Sequence, residues 1–235
     1  MPLSFTPLIL AFILSLVYVV SYRISDSIEK YHEYILSIGS GMLLAIIFVE
    51  VLPELIEEGN KFLSSDIIAL SILIGFTSYH LIEKYTYKHS KRTLETTRIG
   101  YLHVGGFFID NFLEGFVLVL IFSIATNYLI YILFIPLLLG DIAASTTLRH
   151  INDKFKLGKI GIILLSSSIF LGAVVGSLLR LNEKTFYITL GILTGIFIYF
   201  ITRDEIPRGR KGKPLAFLIA LIIISTIFLV IKGVI

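Results

Sequence analysis

Apolar runs long enough to cross a bilayer recur about eight times along the chain, separated by short polar stretches. They fall roughly at 3–22, 35–57, 65–87, 99–124, 128–148, 159–180, 185–203 and 214–234. A helix rising 1.5 Å per residue needs about 20 apolar residues to cover a hydrocarbon core of about 30 Å. Each run meets that length, so the pattern predicts an all-α integral membrane protein with eight transmembrane helices. The connections are too short for a separate soluble domain, and residues 1–235 are read as one polytopic membrane domain.

Composition agrees with the pattern. The chain is 56% hydrophobic, with a mean hydropathy of +0.90, too apolar for a soluble domain. Cysteine is absent, which excludes disulfides, thiolate metal sites, iron–sulfur clusters and thiol catalysis. The first run has neither a basic leader nor a small-residue cleavage site, so it is expected to be a retained span.

A net charge of +3 would suit a nucleic-acid partner if the basic residues were clustered. Instead they flank the spans. Sixteen of the twenty Lys and Arg residues lie in the odd-numbered connections: Arg23 and Lys30, then Lys84 to Arg98, then Arg149 to Lys159, then Arg203 to Lys213. Positive charge marks the cytoplasmic side. The expectation is therefore odd connections inside, both termini extracytoplasmic, a location in the cell membrane, and lipid in place of nucleic acid as partner.

Polar residues inside the spans carry the candidate chemistry. The fourth span contains Asp110-Asn111-Phe112-Leu113-Glu114-Gly115, and the fifth contains Pro136 and Gly140-Asp141. Ionisable groups at mid-span are costly and usually mark a site or pathway. Asp110 and Glu114, four residues apart, share one helix face. Two carboxylates one turn apart repel in an apolar medium unless a cation or a proton lies between them. Their oxygens, with the Asn111 amide, suit a divalent cation. His103 lies two turns before Asp110 on about the same face, as a pathway candidate. Pro136 removes a backbone donor and frees a carbonyl one turn earlier; that carbonyl could meet an ion, or the residue could simply kink the helix. Asp141 is a further pathway candidate. Ser145, Thr146 and Thr147 could line a polar exit or bond back to their own helix.

Weaker signals remain. His80 and Glu83 could pair with each other, and His89 stands in a basic connection. Glu54, Glu57, Glu58 and Asp66 make the second connection acidic. Gly172 and Gly176, with Ser168, give the sixth span a small-residue face suited to helix packing or to a homodimer contact.

An internal repeat links the second and seventh spans. Gly41, Glu50 and Pro53 have the same spacing as Gly195, Asp204 and Pro207. The two spans run in opposite directions, so the repeat is inverted, a pattern that brackets midplane sites in transporters. Glu50 is accordingly a pathway candidate.

These residues together resemble the ZIP family, the zinc- and iron-regulated transporter-like proteins. The resemblance rests on Glu50-Val51-Leu52-Pro53-Glu54 in the second span, Asp110-Asn111-Phe112-Leu113-Glu114-Gly115 in the fourth, Pro136 with Gly140-Asp141 in the fifth, and Tyr199 leading to Asp204 and Pro207 in the seventh. The family's metal-binding positions in the fifth span correspond to Leu133, Phe134 and Leu137, which cannot ligate a metal, and Asp110 stands where the family has histidine. The resemblance implies an eight-helix bundle with segments 1–3 and 6–8 as an inverted repeat around segments 4 and 5. It implies a carrier moving Zn²⁺, Fe²⁺ or Mn²⁺ toward the cytoplasm by alternating access, with Asp110, Asn111, Glu114 and Asp204 as metal ligands. An all-oxygen donor set shifts the expectation toward harder cations. The metal is cargo, and no resident cofactor or enzymatic activity is expected. Two alternatives stay open: a protein that keeps the fold but has lost transport, as a metal sensor or scaffold, and an intramembrane aspartyl protease using Asp141 and Asp110 with a shared proton.

Overall fold

In the computed structural model the apolar runs fold as helices. Described are residues 5–90, 96–124, 127–155, 158–205 and 212–233, with the side chains of 86–90, 96–103, 124, 127–129, 150–155 and 204–205 left aside. Among the described residues there is no strand, and eight helices are long and apolar enough to cross a membrane.

Segment one is Phe5–Arg23. Segment two runs from His32–Ile46 through a π-helical turn, Ile47–Val51, into Leu52–Gly59. Segment three is Ser65–Ser90, four is Thr96–Ile124, five is Asn127–Phe155 and six is Lys159–Leu178. Segment seven is Glu183–Phe200, continued by a second π-helical turn, Ile201–Glu205, and segment eight is Pro214–Ile231. Local signals set several of these ends. Asn182 caps segment seven by accepting a hydrogen bond from the Thr185 amide at 2.9 Å, meeting one of the free donors of a helix start. Pro214 opens segment eight, where its missing N–H costs nothing. Segment five continues seven residues beyond the apolar run predicted for it, because Arg149 to Phe155 can extend a helix without being apolar.

The chain divides into two compact units, each drawn from three stretches. One comprises 1–32, 81–130 and 141–179; the other comprises 33–80, 131–140 and 180–235. The division passes through segment five between Gly140 and Asp141.

In the first unit, segments one, four and six pack together. Segment one presents Ala11, Leu14 and Tyr18, all fully buried, at the spacing of one helix face. Phe12 meets Phe170 of segment six edge-on, with centroids 6.0 Å apart. Segments four and six approach backbone to backbone. A Cβ on Gly115 would collide with the Ile169 carbonyl oxygen, and one on Gly172 with that of Phe112. The reciprocal glycines are therefore what permits this crossing. Gly176 continues the contact against Phe116. The small-residue face of segment six is thus filled within the chain, and a homodimer would have to use another surface.

In the second unit, segment two is the most enclosed, and segments three and eight are mostly exposed. Their outward side chains include Leu70, Leu73 and Ile74 on one, and Leu218, Ile219 and Ile222 on the other; these are the faces a bilayer would cover. Gly41 of segment two meets the Phe217 backbone of segment eight, and Gly195 of segment seven meets the Ile72 backbone of segment three. Phe62 stacks on Tyr187, with centroids 5.6 Å apart.

The repeat has a counterpart in backbone geometry. Glu50 and Asp204 are each the fourth residue of a π-helical turn, and Gly41 and Gly195 each lie six residues before its first residue. Proline explains the first of these turns. Pro53 has no N–H for the Val49 carbonyl, and its ring would crowd that carbonyl, so the turn widens.

Candidate functional site

Segments four and five each contain 29 residues, and their central residues are Asp110 and Asp141. Both aspartates therefore sit at mid-helix, where solvation by headgroups or water is poorest. They belong to the same unit. Asp110 and Glu114 are half-buried, and Asn111 and Asp141 are buried.

Asn111 is fixed by segment six. Its Nδ2 donates to the Leu165 carbonyl oxygen at 3.1 Å. With the nitrogen committed to that backbone, Oδ1 is the amide atom left for other partners. The same carbonyl accepts from the Ser168 hydroxyl at 2.6 Å, so the small-residue face of segment six also orients the polar residue of segment four.

The structure adds a residue to this group. Tyr18 of segment one is fully buried. Its hydroxyl lies beside the Asn111 side chain and close enough to Asp141, Glu114 and Asp110 to feel their charge. Four polar side chains proposed from sequence thus gather around one phenol that sequence reasoning passed over. Tyr18 stands five residues before Arg23, near the end of its span, where a tyrosine ordinarily reads as an interfacial anchor. Only the packing of segment one against four and six reveals its surroundings.

Other polar residues resolve differently. The hydroxyls of Ser145, Thr146 and Thr147 bond back to the carbonyls of Ile142, Ile142 and Ala143 at 2.9, 2.8 and 3.1 Å, so they satisfy themselves within segment five. Segment five remains helical through Pro136, and Gly39 packs against the turn that follows it. Leu133 and Leu137 are buried and act as packing residues. His80 approaches Tyr199 through Nδ1 at 2.9 Å from the hydroxyl. The side chains of His103, His89 and Asp204 lie outside the described residues.

Glu50 belongs to the other unit and has a committed partner. Its carboxylate pairs with Lys232 at 2.7 Å, and the same ammonium donates to the Val49 carbonyl oxygen at 3.1 Å. Lys232 thereby neutralises the acid of the π-helical turn and satisfies the carbonyl that Pro53 leaves without a donor.

Among the described residues, no three His, Asp or Glu side chains form a group able to hold a metal ion. The donors around Tyr18 therefore amount to a carboxylate pair on segment four, an amide, a phenol and a third carboxylate, not a closed cage. Such a set can supply a few protein oxygens to a hard cation, with water completing the shell. No known protein-family model matches the chain, and no curated protein matches it.

Proposed function

We propose that this chain is a divergent ZIP-like carrier of divalent metal cations, moving them toward the cytoplasm by alternating access. The observation that carries the reading is the gathering of Asp110, Asn111 and Glu114, with Asp141, at the middle of the first unit. Retained carboxylates at mid-span are expensive unless they serve a charged cargo. Asp110 and Glu114 are the principal ligands, and Asn111 contributes Oδ1. Asp204 is a further ligand by its place in the sequence repeat, and His103 lines the path from the cytoplasmic end.

The matching π-helical turns at Glu50 and Asp204, with glycine crossings in the same register, support the inverted repeat that the ZIP resemblance implies. Glu50, held by Lys232, ranks below the acids of segment four as a cation contact. With carboxylate, amide and phenol oxygens as donors, selectivity by ligand softness is weak, and Mn²⁺ or Fe²⁺ is favoured over Zn²⁺.

A second reading has its own observation. Leu133 and Leu137 fill positions where ZIP carriers place metal ligands, and both are packed away. A protein that kept the fold and lost transport would look like this on segment five. Uptake into proteoliposomes separates the two. Saturable uptake of Mn²⁺, Fe²⁺, Co²⁺ or Zn²⁺ by the intact chain, lost in Asp110→Ala and in Glu114→Ala, supports the carrier. Folded protein that moves none of these cations would favour the sensor or scaffold.

A further inference from the structure

Burying a hydroxyl without a partner costs roughly 1–3 kcal/mol in proteins, and such groups are rare in native structures. The Tyr18 hydroxyl is one. The side chain is fully buried, and no donor or acceptor meets its oxygen in hydrogen-bonding geometry. Phenylalanine would fill the same volume without that cost. The surroundings say what the hydroxyl could serve: the Asn111 amide beside it and the carboxylates of Asp110, Glu114 and Asp141 within reach of its charge. Asn111 cannot swing freely to meet it, because its nitrogen is tied to the Leu165 carbonyl.

We infer that Tyr18 is a binding residue of the cation site, its hydroxyl oxygen supplying a rigid neutral donor from segment one to a divalent cation held by Asp110, Glu114 and the Asn111 carbonyl. The inference rests on the cation-site reading above and extends it to a helix that carries none of the sequence motifs. Neutral oxygen donors suit hard divalent cations. A ring buried on the face that also carries Ala11 and Leu14 has little freedom to rearrange, so the donor is in place before the cation arrives. Such preorganisation raises affinity without adding charge.

The test is thermal unfolding of the full chain in detergent, titrated with Mn²⁺. Tyr18→Phe should be at least as stable as wild type without metal, because the unpartnered hydroxyl is gone. Its Mn²⁺ midpoint should rise by about tenfold, the equivalent of about 1.4 kcal/mol. A hydroxyl of purely structural value would give the opposite pair: lower metal-free stability and an unchanged midpoint. An unchanged midpoint alone overturns the inference while leaving the cation site intact. Absence of any Mn²⁺ response in the wild type instead overturns the site itself. Should Tyr18→Phe not fold, Tyr18→His is scored by cation ranking, since imidazole favours zinc over manganese. A new preference for Zn²⁺ supports the inference, and the wild-type ranking in that variant overturns it.

Discussion

The two units treat acidic residues in opposite ways. In the second, Glu50 is answered by Lys232, whose ammonium also satisfies a backbone carbonyl at the π-helical turn. In the first, three carboxylates, an amide and a phenol lie near one another at mid-helix. A paired acid is a structural part: breaking the pair leaves an uncompensated charge, and keeping it offers a cation nothing. A collection of oxygen donors around a buried phenol is a recognition surface. The contrast teaches that an acid inside a membrane helix is not by itself a site, because its partners decide the role.

Close helix crossings should show the largest effects. Gly115→Ala places a methyl group into the Ile169 carbonyl, and the packed backbones have no side chain that can yield. A loss of about 3 kcal/mol is expected, read as a lower unfolding temperature or loss of monodisperse protein in detergent. Gly105→Ala on the same helix meets nothing within 4 Å and should be neutral or raise stability by about 0.5–1 kcal/mol. Equal effects at the two positions would mean that segments four and six do not cross at Gly115.

The Glu50–Lys232 pair should come next. Lys232→Met leaves Glu50 enclosed without its cation and Val49 without its donor, for an expected cost of about 2 kcal/mol. Combining it with Glu50→Gln should recover part of that loss, because the unpaired charge is gone. A double variant no better than the single one would remove the distinction drawn between the two units.

How far the sequence could lead differs between backbone and site. The eight helices were legible because apolar length is a direct demand of the bilayer, and their boundaries shift only where polar residues prolong a helix. The spacing of Gly41, Glu50 and Pro53 against Gly195, Asp204 and Pro207 anticipated where the backbone widens, since proline acts on its own chain locally. Asp110, Asn111 and Glu114 stood out because charge is conspicuous in an apolar run. Tyr18 did not, because a tyrosine within five residues of Arg23 looks like an ordinary interfacial ring until segment one is packed against its neighbours. Partner choice was likewise out of reach. Glu50 finds Lys232 across 182 positions of sequence, and Ser145, Thr146 and Thr147 turn to their own backbone where an exit lining was equally open. Gly172 and Gly176 announced a close contact without saying that segment four, and not a second copy, would fill it.

Equilibrium binding of Mn²⁺ to the full chain in detergent, followed by the paramagnetic resonance of the free ion, tests the central claim most directly. The wild type is compared with the Asp110→Asn, Glu114→Gln double variant and with Glu50→Gln. The account predicts saturable binding in the wild type, its loss in the double variant and its retention in Glu50→Gln. Binding that survives the double variant, or disappears with Glu50→Gln alone, would contradict it.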